Sequence, residues 1–175
     1  MTSPTDTPQE GTPQTERDAV LRALGLTGPE PELDAFAAHL AQEAGAPYAM
    51  VNIFGAEQHF FGLHTPGYDS ELPTVGRSMP LDHGFCPEVV DREKALVLPD
   101  VFAAPRFAGN AVVDLIGIRT YAGAPLLHGD TVLGTVCFVG PVERGLSTGR
   151  QSLALIKQHR DDVQNFLYRR AGIQP

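Results

Sequence analysis

The sequence predicts an α+β sandwich: a central antiparallel sheet with the N- and C-terminal helices on one face, and loops plus short helices on the other. Three observations carry this. Long helical periodicities bracket the chain, one beginning at Leu33 and one running through LSTGRQSLALIKQHRDDVQNFLYRR near its end. Between them stand two hairpin signals, YAMVNIF-GAE-QHFFGL and RTYAGAPLL-HGD-TVLGTVCFVG. The residues between the hairpins are broken by Gly and Pro and hold only short runs of either period.

Each element has its own reason. Residues 1–15 are Thr, Pro, Gln, Ser and acidic residues, with no bulky apolar side chain beyond Met1, so a disordered leader is expected. ERDAVLRALGL then reads as a short helix, with Val20, Leu21 and Leu24 on one face and Gly25 as its stop; TGPEPE follows as a linker, closing a segment at 16–32. The main domain spans 33–170. Leu33, Phe36, Ala37, Leu40, Ala41 and Ala44 repeat at helical spacing, and Gly45 ends that helix. The first hairpin leads into a long loop, HTPGYDSELPTVGRS, of the kind that often carries function. A short helix is expected from Cys86 through PEVVDRE, then a strand in ALVLPD, an irregular VFAAPRFAGN and one helical turn in AVVDLIG. The last helix takes its cap from Ser147 or Thr148. Its stripe runs through Leu153, Ile156, His159, Arg160, Val163, Phe166, Leu167 and Arg170.

Composition excludes several classes. The 175 residues carry a formal net charge of −8, and their 13 Lys and Arg are scattered, which argues against nucleic-acid or anionic-membrane binding. No window approaches the length of a membrane span, and the N-terminal residues lack the basic and apolar regions of a secretory signal. A cytoplasmic, reduced protein is therefore expected. Two cysteines make no disulfide framework, and the spacing of Cys86 to Cys137 fits no zinc motif, so no metal site is expected. No catalytic-triad order, HExxH, glycine-rich phosphate loop or paired-carboxylate signature occurs.

The order of segments carries a resemblance. LAQEAGAPYAMVNIFGAEQHFFGL looks like the entry helix and first hairpin of a GAF domain. LVLPDVFAAPRFAGNAVV is similar to the stretch after that family's short central helix, and GIRTYAGAPLLHGDTVLGTVCFVG to its closing hairpin. The resemblance runs from about Leu33 to Phe166 and implies a GAF-like sandwich. It implies no single ligand, because these domains bind cyclic nucleotides, bilins, haem or small metabolites, and many dimerise. The Asn-Lys-x-x-Phe-x-x-x-Asp-Glu series of cyclic-nucleotide GAF domains is absent. Neither cysteine precedes a His, as a bilin-attachment cysteine usually does. Gly84-Phe85-Cys86 resembles part of the motif of free methionine-(R)-sulfoxide reductase, a GAF enzyme. The segment matching that family's reactive cysteine, RFAGNAVVD, carries Asn110 and no thiol, so a non-enzyme is expected.

A pocket is expected between the sheet and the 64–118 loops. Its candidate ligand-binding residues are Asp82, His83, Cys86, Arg106, Asn110, Arg119 and Tyr121, with His64 nearby. Asp82 and His83 can hold a polar ligand or close a loop; Arg106 can meet an anion or pair with Asp100 or Asp114; Tyr121 can wall the pocket or fill the core. Cys86 is read as the cap of its helix with Pro87 as first helical residue, either a ligand-contacting or redox-active thiol or a packed one. Cys137 lies mid-strand, sharing a face with Thr135 and Val139, and is its possible redox partner. The expected function is a stand-alone GAF sensor that binds an unidentified small molecule, with the cofactor unknown. It would signal by protein contact, as a homodimer through its terminal helices or with a signalling protein such as a sensor kinase. The alternatives are a scaffold protein with a vestigial pocket and a thiol redox sensor or reductase using Cys86.

Overall fold

The computed structural model describes residues 13–174. Its elements are α1 (Pro13–Ala23), α2 (Pro31–Ala44), β1 (Tyr48–Phe54), β2 (Gln58–His64), β3 (Ser78–Met79), α3 (Cys86–Arg92), β4 (Leu96–Leu98), α4 (Pro105–Ala108), α5 (Ala111–Ile116), β5 (Thr120–His128), β6 (Thr131–Gly140) and α6 (Gly149–Ala171). The strands form one antiparallel sheet in the order β3-β2-β1-β6-β5-β4. The expected leader lies outside the described residues up to position 12; residues 13–15 belong to α1, which opens at Pro13.

Strand alternation divides the interior in two. On β1, Ala49, Val51 and Ile53 face the terminal helices, and Tyr48, Met50 and Phe54 face the opposite layer. On β6, Val136 and Phe138 join the helix-side core, and Cys137 and Val139 the other. The helix-side core takes Leu33, Ala37, Leu40 and Ala41 from α2 and Ile156, Val163 and Leu167 from α6. The second core takes Phe85, Cys86 and Val89 from the α3 region and Val112 and Val113 from α5. Gly134 lets the sheet close: a Cβ there would sit 1.8 Å from the Asn52 carbonyl oxygen on β1.

Helix ends follow local chemistry. Pro31 opens α2 where its missing N–H costs nothing. Gly45, at φ 62°, closes it, with its N–H on Gln42 O at 3.3 Å and the Ala46 N–H on Ala41 O at 3.0 Å. Gly172 and Ile173 close α6 in the same way.

One expectation needs correction. Phe85, not Cys86, caps α3; Cys86 is its first residue, because Pro87 is equally compatible with the second position of the first turn. Val163 and Leu167 are buried in the protomer's own core, and Phe166 packs on Phe36 with ring centroids 5.3 Å apart. The outer face of α6 is polar, with Lys157, Gln158, Asp161, Asp162 and Asn165 exposed.

Candidate functional site

A cavity of about 220 Å³ lies between the sheet and the layer made by the 75–86 loop, α3 and α5. Its floor is Met50, Asn52, Tyr121, Cys137 and Val139; its roof includes Val75, Met79, Phe85, Val112 and Ile116. Among the described residues no Asp, Glu, Lys, Arg or His lines it. The long loop reaches the roof because its backbone is tied down: Arg77 O accepts from Phe60 N at 2.8 Å, and Thr65 Oγ1 accepts from Val75 N at 3.2 Å.

One polar chain enters this apolar space. Asn52 and Gln58 are fully buried. Gln58 Nε2 donates to Pro80 O at 2.7 Å and to His83 O at 2.8 Å, so its Oε1 must be the acceptor for Asn52 Nδ2, at 2.8 Å. That fixes the Asn52 amide, whose Oδ1 has no partner among the described residues. A buried acceptor left without a donor costs about 1–3 kcal/mol. At this wall of the cavity a ligand N–H or O–H would gain a partner rather than lose one.

The second feature is a thiol cluster. Cys86 Sγ accepts from Thr135 Oγ1 at 3.0 Å, lies 3.2 Å from the Tyr121 hydroxyl and 3.7 Å from Cys137 Sγ. Cys137 Sγ also lies 3.8 Å from Met50 Sδ. Both cysteines are free and buried. Hydrogen bonding with Cys137, with help from Thr135, Tyr121 and Asn52, outweighs burial and brings the Cys86 thiol down to about 7. Its hydrogen bond with Cys86 and its own burial push the Cys137 thiol well above the usual range. Burial and the neighbouring sulfur do the same to Tyr121. The pair thus loses one proton, from Cys86, and keeps the other.

Of the residues singled out from sequence, Cys86, Tyr121 and Cys137 line the cavity; Asp82, His83, Arg106, Asn110 and Arg119 do not. Asp82 is exposed and stands 3.8 Å from the His83 ring. Arg106 pairs with Glu88 at 2.7 Å, rather than with Asp100 or Asp114, and covers the Phe107 ring. Arg119 bonds Asp100 at 3.2 Å over the Phe102 ring. Asn110 is a latch: its Oδ1 accepts from Gly84 N at 2.9 Å and from Val112 N, and its Nδ2 donates to Gly84 O at 2.8 Å. It joins the start of α5 to the start of α3 and so frames the roof. His64 ends β2, outside the lining.

Sequence reasoning missed Asn52. Its signal was present: a lone amide in the apolar strand YAMVNIF. A second cluster was also missed. His39 and Glu43, one turn apart on α2, meet buried His159 of α6, with Nε2 to carboxylate distances of 3.0 and 2.7 Å. The donor atoms of these three side chains lie within 4.8 Å of one another, but the His159–Glu43 contact is a hydrogen bond tying α2 to α6, and the His39–Glu43 contact lies within α2.

The sheet order, the helix pair behind it and the cavity layer in front together define a GAF-type fold. The sequence profile of the GAF domain matches residues 28–159, and the chain belongs to that family. No curated protein sequence matches it. Among solved structures, a GAF domain of an Acinetobacter phosphoenolpyruvate-protein phosphotransferase is similar at a TM-score of 0.60 and 13% identity, over 94% of this chain and 98% of that one. The phycoerythrobilin-bound GAF domain of a cyanobacterial phytochrome gives 0.60 and 13%, over 91% and 94%. The free methionine-R-sulfoxide reductase of Neisseria meningitidis, solved with its substrate, gives 0.59 and 13%, over 91% and 87%. At these identities the likeness is one of fold. Among the described residues no helix is long and apolar enough to cross a membrane.

Proposed function

We propose that this protein is a non-catalytic GAF sensor whose ligand is a compact, uncharged, largely apolar molecule carrying one hydrogen-bond donor. The observation that carries the reading is a cavity of about 220 Å³ without a charged wall but with the orphaned Asn52 Oδ1. Burying a ligand charge there without a partner would be prohibitive, which disfavours phosphorylated ligands and zwitterionic amino acids. The same argument counts against methionine sulfoxide reduction, since a free amino acid brings an ammonium and a carboxylate. An engineered apolar cavity of about 150 Å³ holds benzene, so a single-ring or fused-bicyclic molecule is the right size, and a tetrapyrrole is too large. Ligand binding would reach a partner through the sheet: Cys137 and Val139 face the cavity, and Val136 and Phe138 face α2 and α6. That partner is proposed to be a cytoplasmic signalling protein or a second copy meeting this one at the two helices. A sedimentation mass of one chain at every concentration removes the second copy.

Thermal unfolding with a panel of indole, phenol, toluene, benzoate and methionine sulfoxide tests the ligand class. Indole and phenol should stabilise most and toluene less. Saturation at about a hundred times Kd gives about 2.7 kcal/mol, or roughly 5–10 °C in a chain of this size. Stabilisation by benzoate or the sulfoxide alone would overturn the reading.

A further inference from the structure

The cavity floor holds chemistry that ligand sensing does not use. Two free thiols 3.7 Å apart share one wall of a space with no charged lining. Disulfide bonding needs the sulfurs at about 2.05 Å, so roughly 1.7 Å separates the pair from a bond. The two sides of that gap differ in freedom. Cys137 sits on β6, paired on both edges by β1 and β5. Cys86 opens α3, a helix of seven residues, two positions after Gly84 at φ 77°. Closure therefore falls to the first turn of α3. Thr135 Oγ1 donates to Cys86 Sγ at 3.0 Å, and the Tyr121 hydroxyl lies 3.2 Å from the same sulfur. The cluster is built to hold negative charge on one named sulfur.

We propose that Cys86 and Cys137 are a hydroperoxide-reactive dithiol, in which a small neutral hydroperoxide entering the cavity oxidises Cys86 and Cys137 resolves it to a Cys86–Cys137 disulfide. The walls select the oxidant. A neutral hydroperoxide crosses them without a charge penalty; anionic oxidants and large peptide disulfides do not fit a space of about 220 Å³ without charged partners. Cys86 thiolate attacks the terminal peroxide oxygen. The O–O bond breaks, an S–O bond forms, and the departing alkoxide takes up the proton that Cys86 released. Cys137 Sγ then attacks Cys86 Sγ, the S–O bond breaks, the S–S bond forms, and hydroxide leaves as water with the Cys137 proton. Two thiols are oxidised, one hydroperoxide is reduced to its alcohol, and one water is produced. The disulfide draws α3 toward β6 and takes Cys86 away from Thr135 and Tyr121, so oxidation reshapes the same floor that a ligand would touch. This chemistry does not depend on any ligand being bound.

The test uses the full chain, fully reduced. It is exposed to hydrogen peroxide, tert-butyl hydroperoxide or oxidised glutathione, then denatured, alkylated and weighed intact. With either hydroperoxide the expected product lacks two hydrogens, carries no added oxygen and accepts no alkylating group; oxidised glutathione leaves both thiols free. Cys137→Ser should instead stop at a Cys86 sulfenic acid that dimedone captures, and Cys86→Ser should stay unoxidised. Thr135→Val should react at least about tenfold more slowly, the loss of one hydrogen bond to a charged sulfur. Wild-type thiols that remain alkylatable in a large excess of hydroperoxide overturn the proposal, without relying on any variant to fold. So does a Cys86→Ser chain oxidised as fast as wild type. Ligand-induced stabilisation of the reduced chain is measured separately, so the dithiol and the sensor can each fail alone.

Discussion

Tyr121 and Gly123 lie two apart on β5, on the same face of the strand. A Cβ at position 123 would stand 2.0 Å from the Tyr121 hydroxyl. The missing side chain is thus the space into which the phenol folds back, and Phe85, with its ring 5.3 Å away, holds it there against Cys86. Gly123→Ala should displace the hydroxyl, deprive Cys86 of one donor and raise its pKa from about 7. A lowered thiol pKa means that reactivity rises as pH passes upward through it, so the midpoint should move to higher pH. The rate of modification by methyl methanethiosulfonate against pH reads this directly. Tyr121→Phe should shift the midpoint in the same direction. An unmoved midpoint in both variants would mean that the phenol does not tune the thiol. The alanine should also cost stability, because it meets the Tyr121 hydroxyl and the ring carbons Cζ and Cε1 of a rigid, buried side chain.

Between elements, a tie that titrates joins α2 to α6. His159 hydrogen-bonds the Glu43 carboxylate and, with smaller contributions from its charge and from His39, holds it below the ordinary value of 4.5. The folded chain therefore keeps Glu43 ionised where the unfolded chain binds a proton. Its stabilisation is complete above the ordinary carboxylate range and is lost as pH falls through the depressed value. Urea midpoints taken from neutral pH downward should fall more steeply for wild type than for Glu43→Gln, and parallel curves would remove the role. Elements of this length were legible from sequence because spacing alone reports them: Leu33, Ala37, Leu40 and Ala44 mark α2 whatever they pack against. β3 was not, since two residues, Ser78 and Met79, are too few to alternate. The site was legible only in part. Arg106 and Asn110 drew attention as polar residues of an irregular segment and Arg119 as the start of a strand, and in the fold they pair with Glu88, the Gly84 backbone and Asp100. Met50, Val112 and Ile118 line the cavity, yet in sequence they are indistinguishable from core, because whether an apolar face meets another face or a void is decided by layers far apart in the chain.

Across the whole molecule, one sheet separates a filled core from an incompletely filled one, and added volume should tell them apart. Ala122 on β5 is fully buried against the terminal helices. Val112 on α5 is almost as buried, but borders the cavity. Overpacking a well-filled core costs about 1–3 kcal/mol, because side chains leave their rotamers and backbone shifts. Ala122→Leu should pay that penalty in full. Val112→Phe adds more atoms but has about 220 Å³ to enter, so its unfolding free energy should stay within about 1 kcal/mol of wild type. It should also abolish stabilisation by indole or phenol, since the ring then occupies their place. Urea unfolding of the two variants, with and without indole, measures both effects. A void kept open in a fold of marginal stability forgoes dispersion contacts that a larger residue would supply, so its persistence is understandable if something else fills it. Equal penalties at positions 112 and 122 would mean that the space is closed in solution, and the sensory reading would then lose the site on which it depends.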